Sequence, residues 1–288
     1  MSDWLDDFLA AEGLPQTFRE TVETVCEPLA ARAARLRQVR RKTVTLGLCG
    51  AQGSGKSTVV AATKRLLERR GLSTVAVSLD DFYLPREARQ RLAAEAHPLF
   101  AVRGPPGTHD VRLGGAVLDQ LRAKGRVALP AFDKATDNRK PRAAWETVAT
   151  PVDVVLFEGW CVGARAQGAA ALANPVNALE AEEDPQGVWR SYINDQLDGP
   201  YQELFGRMQE LIMLKVPSFE VVLAWRTEQE HKLRARTGGG MSDAEVARFI
   251  SHYERLTRWI LAEMPERARW VISLDENRRP TSESDPIS

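Results

Sequence analysis

The chain has 288 residues, 43% of them apolar and 27% charged, and 39 Lys and Arg balance 39 Asp and Glu. That length buries a full core as one large domain or two small ones. The absence of a basic excess counts against a polyanion-binding surface, so nucleic acid is not an expected partner. Cys26, Cys49 and Cys161 are odd in number and far apart, which suits a reducing cytoplasm and neither a disulfide framework nor a zinc site. No apolar run reaches the roughly 18 residues of a membrane helix, and the acidic opening MSDWLDDFLAAEG does not read as a signal peptide. A cytoplasmic protein without membrane contact is expected.

Residues 17–41 place Val22, Val25, Leu29, Ala33 and Leu36 at helical spacing, so residues 1–42 read as a helical extension packed on the core. An apolar β run follows at 43–49, then a glycine loop, then STVVAATKRLLERRG, a helix closed by Gly71. Further short apolar strands are predicted at 74–79, 152–157, 219–224 and 269–273, with helices at 111–123, 200–214, 227–236 and 242–262. Continuously apolar strands alternating with helices predict an α/β fold, a mostly parallel five-stranded sheet covered on both faces. One domain over 43–275 is expected, interrupted by an insertion at about 164–197 that carries no interpretable motif, with a frayed polar tail at 276–288.

The glycine loop carries the chemistry. Gly50, Gly55, Lys56 and Ser57 fit G-x-x-x-x-G-K-[ST] between a strand and a helix, the setting that phosphate-binding loops require. Gly50, Ala51, Gln52, Gly53, Ser54 and Gly55 would turn backbone N–H groups around phosphate oxygens, and the helix N-terminus from Lys56 to Thr58 would add its partial positive charge. Lys56 would reach the β- and γ-phosphates of ATP, and Ser57 would ligate Mg²⁺. The strand VDVVLFEG ends in a lone acid, Glu158, which reads either as a partner of that Mg²⁺ or as a helix-capping carboxylate. No N-K-x-D and no L-S-G-G-Q occurs, which counts against a GTPase and a transporter ATPase. In LDDFYLP, directly after the second strand, Asp80 stands where a carboxylate would take the proton of a hydroxyl attacking the γ-phosphate. Asp81 reads equally as a second functional acid or as a cap. Two function classes follow: a small-molecule kinase, or a nucleotide-dependent switch read by a partner.

Gly50–Ser57, DDFY, GTHD, PAFDKATDNR, FEGW and TGGGMSDAEV, in this order from about residue 43 to 263, together resemble the glycerate 3-kinase group of P-loop kinases, related to uridine kinase, phosphoribulokinase and bacterial pantothenate kinase. The resemblance implies the three-layer P-loop NTPase fold and an ATP- and Mg²⁺-dependent phosphotransferase. Its acceptor would be a small metabolite, with glycerate favoured over a nucleoside, pantothenate or a sugar phosphate. It implies Asp80 as general base, and Asp81, Tyr83, His109 and Asp110 around the acceptor, Asp110 doubling as the N-cap of the helix from Val111. Lys134 and Arg139, on the loop that begins with Phe132 and Asp133, would be acceptor cations, or else solvated loop charges. Arg226, Lys232, Arg234 and Arg236 match a helical lid over about 226–245, with Arg226 toward ATP and Arg234 toward the transferring phosphoryl group. TGGG reads as the hinge of that lid, and Ser242 with Glu245 as a capping box that restarts the helix. Asn177, close after FEGW, is expected to approach the site, and Trp160, Trp189 and Trp225 read as packing residues.

Overall fold

In a computed structural model, which describes residues 2–281, the strand before the glycine loop is buried along its whole length. That strand, β1 (Val44–Gly50), follows helices α1 (Ser2–Glu12), α2 (Phe18–Thr21) and α3 (Glu27–Arg40), and leads into α4 (Lys56–Arg69). Then come β2 (Thr74–Ser78), α5 (Arg86–Glu95), α6 (Val111–Gln120), β3 (Gly125–Leu129), β4 (Phe132–Asp133), β5 (Asn138–Arg139), β6 (Glu146–Thr150) and β7 (Val154–Gly159). The remainder is α7 (Ala178–Glu183), α8 (Val188–Asp198), α9 (Pro200–Phe205), β8 (Glu210–Lys215), α10 (Phe219–Thr237), α11 (Asp243–Glu263) and β9 (Trp270–Ser273).

The main sheet has five strands in the order β2-β7-β1-β8-β9, every neighbouring pair parallel. Alternation along β7 shows why its sequence is apolar throughout. Val154 and Leu156 face a core shared with the N-terminal helices and α4, while Val155 and Phe157 face a core shared with α6, α8, α9 and α11. This is the three-layer arrangement of a P-loop fold. A fully buried Leu or Phe contributes about 1.5–3 kcal/mol, so both faces of one strand anchor a helical layer. Two short antiparallel ladders, β3–β6 and β4–β5, stand apart from this sheet.

The sheet corrects one strand and one helix. Residues 219–224 are not a strand: they open α10, which buries Phe219, Val222 and Trp225 at three-residue spacing. The fourth strand is instead β8, in a segment read as the end of a helix over 200–214, and that helix stops at Phe205. Both segments are short apolar runs, which periodicity alone does not separate. The expected tail also differs. Residues Glu276 to Thr281 fold back on the sheet, where Thr281 N–H donates to Ser273 O at 2.8 Å. Residues 282–288, and the side chain of Arg236, lie outside the described residues.

Candidate active site

β1, β2 and β7 end side by side, and their carboxyl edge builds a cleft of about 560 Å³. The glycine loop forms its floor. Gly55, at φ 83° the N-cap of α4, holds a left-handed turn that other residues rarely adopt. At Gly50 a Cβ would come within 2.7 Å of Ser54 Oγ and 3.2 Å of Leu214 Cβ, so a side chain there would displace the loop or its neighbours. Gln52, Gly53, Gly55, Lys56, Ser57 and Thr58 line the cleft.

Register brings the acids to the same place, since Glu158 on β7 pairs with both Leu48 on β1 and Ser78 on β2. The Ser57 hydroxyl donates to Glu158 Oε1 at 3.0 Å, while Oε2 is buried and has no protein partner among the described residues. An orphaned carboxylate oxygen beside a hydroxyl is a donor set that fits a cation. No group of three or more His, Cys, Asp or Glu stands ready to hold a metal among the described residues, as expected for Mg²⁺, which takes most of its ligands from phosphate and water.

Two residues past the end of β2, Asp80 lies in a 3-10 turn, Leu79–Phe82, that Ser78 caps by accepting Asp80 N–H. Its carboxylate lines the cleft and accepts from the Lys134 ammonium at 2.7 Å and from the Tyr83 hydroxyl at 3.0 Å. Burial pushes this carboxyl up, but the Lys134 and Lys56 ammonium groups outweigh burial, and it lies below the usual aspartate range. Asp81 behaves differently. It does not line the cleft; its Oδ1 accepts Phe132 N–H at 3.1 Å, tying β2 to the β4–β5 hairpin that carries Lys134. Burial first, and then the nearby charges of Asp80 and Glu158, push Asp81 up to about 6 against the Phe132 hydrogen bond.

The structure sets other candidates one layer back. His109 is buried, its ring stacked on Tyr83 at 4.5 Å and its Nδ1 at 2.6 Å from the Tyr201 hydroxyl; burial brings it down to about 4, so it is neutral near pH 7. Asp110 caps α6 by accepting Leu113 N–H at 3.0 Å. Arg139 reaches the Asp110 carboxylate at 3.4 Å and the Tyr83 carbonyl at 3.0 Å, so it braces the turn and does not enter the cleft. Among the lid residues, Arg226 and Lys232 line the cleft, and Arg226 pairs with buried Glu230 at 2.6 Å. Arg234 does not line it and pairs with Asp243 at 2.7 Å. Gly238 is the left-handed C-cap of α10, and Ser242 and Glu245 form the capping box of α11. Asn177 caps α7 and donates to Ser251 O at 2.9 Å on α11, away from the cleft lining.

Several lining residues were not expected there from the sequence, among them Trp160 and Trp225, which read as packing residues and line the cleft as well. Arg103 bonds to Asp137 at the tip of the β4–β5 hairpin and lines the cleft. Trp160, Phe249 and Tyr253 supply its aromatic wall, and Trp225 and Arg278 its far end. Arg278 donates to Gly53 O at 2.9 Å, pairs with Glu228 at 2.9 Å and lies over the Trp225 ring at 4.8 Å.

Comparison with known proteins agrees with this geometry. The profile of the phosphoribulokinase/uridine kinase family matches residues 45–167, from β1 past the end of β7. An uncharacterized kinase of Schizosaccharomyces pombe, mug58, is 34% identical over 252 residues, 82% of this chain and 89% of that protein. The chloroplastic D-glycerate 3-kinase of Arabidopsis thaliana is 28% identical over 82% of this chain, which spans about half of the plant protein, 54%. Among solved structures, the D-glycerate 3-kinase of Cryptococcus neoformans var. grubii shares the fold with a TM-score of 0.77 at 24% identity, covering 90% of this chain and 98% of that one. With its phosphate loop, its parallel sheet and a kinase relative that it matches nearly end to end, this chain belongs to the phosphoribulokinase/uridine kinase family and is a kinase.

Proposed function

We propose that the protein transfers the γ-phosphoryl group of ATP to a hydroxyl of a small acidic metabolite, with D-glycerate the favoured acceptor. The observation that carries this reading is the Asp80 carboxylate, facing the same cleft as Lys56 and held between Lys134 and Tyr83. The names of the plant and fungal relatives point to glycerate. The cleft adds two cations, Arg103 and Lys134, that would pair with an acceptor carboxylate. In this reading Arg103 takes the place that the sequence gave to Arg139, because Arg103 lines the cleft and Arg139 does not.

In this reading Lys56 and the loop N–H groups hold the phosphates, and Arg226 approaches them from α10. Ser57 and Glu158 would hold Mg²⁺, which supplies charge neutralisation on the phosphate oxygens. Asp80 is anionic at neutral pH and orients the acceptor hydroxyl. Phosphoryl transfer is loose, with little bond formation to the attacking oxygen at its peak, so a carboxylate of low basicity is sufficient to receive the proton late. Asp81, through Phe132, positions the hairpin bearing Lys134, and His109, stacked on Tyr83, fixes the ring whose hydroxyl holds Asp80.

The test is a metabolite panel incubated with purified protein and Mg·ATP, read by mass spectrometry for a gain of one phosphate. Phosphoglycerate as the dominant product is expected. A phosphorylated nucleoside, pantothenate or sugar phosphate would replace the acceptor and keep the chemistry. ATP hydrolysis stimulated by a protein partner, with no phosphorylated metabolite, would overturn the kinase reading in favour of a switch.

A further inference from the structure

Arg103, which lines the cleft, is held from three sides. Tyr253 on α11 donates its hydroxyl to Arg103 O at 2.9 Å, and at the next residue, Gly104, a Cβ would run into that hydroxyl. The Arg103 guanidinium lies 5.8 Å from the centre of the Phe132 ring, which meets the Tyr83 ring edge-on at 5.2 Å. Its Nη1 donates to Asp137 Oδ1. Asp137 is anchored in turn: Arg89 Nη2 donates to its Oδ2 at 2.6 Å and to its carbonyl at 3.0 Å. Arg89, on α5, is 1% exposed and does not line the cleft.

We propose that Arg89 and Asp137 are positioning residues for the acceptor, locking the Arg103 guanidinium in place to pair with the acceptor carboxylate; the proposal rests on the acidic-acceptor reading above. A buried guanidinium is tolerated only where its charge is paired, so Arg89 ties both the main chain and the side chain of Asp137 to the body of the protein. An arginine anchored before binding loses less freedom when its ligand arrives. The anchoring does not cancel its charge, because two guanidinium groups share one carboxylate and the trio keeps one net positive charge. Arg103 makes no other side-chain hydrogen bond among the described residues, which leaves Nε and Nη2, the fork that takes a carboxylate in bidentate fashion. The hairpin that bears Lys134 has further ties, from Phe132 N–H to Asp81 and from Arg86 N–H to Asn138. Losing the clamp therefore frees Arg103 while Lys134 stays in place.

The test is steady-state kinetics with D-glycerate and Mg·ATP. Arg89→Met is expected to raise the D-glycerate KM about tenfold or more, the scale of one charge-assisted hydrogen bond, with the ATP KM and kcat near those of the parent. Asp137→Asn serves where loss of the buried charge disturbs folding. Asparagine tolerates the left-handed backbone of this position, at φ 53°, and the same split is expected. In an Arg103→Ala background neither substitution is expected to raise the KM more than about twofold further, since no guanidinium is left to position. An unchanged D-glycerate KM, losses that add fully in that background, or losses that fall equally on kcat and the ATP KM overturn the proposal. So does a lower D-glycerate KM in Asp137→Asn, which would make Asp137 a competitor of the acceptor. Absence of D-glycerate phosphorylation by the unaltered protein strikes the acceptor reading itself, and this role with it, before any variant is compared.

Discussion

Lys134 donates to Asp80 Oδ2 at 2.7 Å across a gap of 54 residues, and both side chains line the cleft. Asp80 is partly buried, which alone would raise its pKa; the ammonium groups of Lys134 and Lys56 reverse the sign. Lys134 itself is largely exposed, with 63% of its side chain accessible, so it is free to turn toward an acceptor. An acceptor carboxylate that drew it away from Asp80 would raise the basicity of Asp80 as the substrate arrived.

Lys134→Gln tests that coupling. Removing the ammonium raises the Asp80 pKa, so the acidic limb of the kcat/KM profile is expected to move to higher pH. The acceptor KM is expected to rise roughly 10–100-fold, the scale of a charge-assisted hydrogen bond, with the ATP KM near normal. A rise confined to the ATP KM would assign Lys134 to the nucleotide and remove the main support for an acidic acceptor.

Asp81 yields a prediction about stability. Its folded pKa is about 6 against an ordinary 3.8, so the folded state binds this proton more tightly than the unfolded chain does. Its contribution is therefore fully present below pH 4 and is lost as pH rises through about 6, a change of at most ~3 kcal/mol. Asp81→Asn keeps an acceptor for Phe132 N–H and carries no charge. Urea unfolding at pH 5 and pH 8 is expected to show a smaller drop for the variant, and higher stability than the parent at pH 8. An identical drop in both proteins would mean that Asp81 does not titrate in this range.

The contrast between Asp80 and Asp81 shows what the sequence made legible. The phosphate loop, the DD pair and Glu158 are each short and contiguous with a strand end, so local pattern was enough to bring them to one edge. The β8 segment was not legible because ELIMLK and SFEVVLAW are equally apolar, and only packing decides which one joins the sheet. Arg278 stands 225 residues from Gly53, in a segment whose polar composition suggests a frayed end. Arg103 owes its place to Asp137 on a hairpin that residue types alone do not position. Contacts of that range depend on the assembled fold, and single-sequence reading has no access to them.

The lid arginines separate in the same way. Arg226 lines the cleft, whereas Arg234 is held by Asp243 at the far end of α10. Arg226→Ala is expected to lower kcat/KM for ATP about tenfold or more, with Arg234→Ala the milder of the two. The reverse order would mean that α10 and α11 close far enough to break the Arg234–Asp243 pair and deliver Arg234 to the phosphates. Hydrogen exchange over 226–245, measured with and without an ATP analogue and acceptor, would register such a closure as slowed exchange.

The mechanism rests on Asp80→Asn. Asparagine keeps the size of the side chain and can still accept from Tyr83, so the turn at Leu79–Phe82 should remain assembled. What disappears is the negative charge that, in the proposed reading, orients the hydroxyl and receives its proton. General-base assistance is typically worth about 10²–10⁴-fold, or roughly 3–5 kcal/mol at 1.36 kcal/mol per decade. Because transfer is loose and the proton moves late, part of that loss reflects orientation of the attacking oxygen. The expected result is a fall in kcat of that order with ATP affinity near normal, since in the proposed reading Asp80 faces the acceptor and Lys56 holds the phosphates. Asp81→Asn is the control: its carboxylate meets Phe132 N–H and does not line the cleft, so its kcat should stay close to that of the parent. A large loss at Asp81 with normal turnover at Asp80 would exchange their roles, and normal turnover in both would remove LDDFYLP from the chemistry.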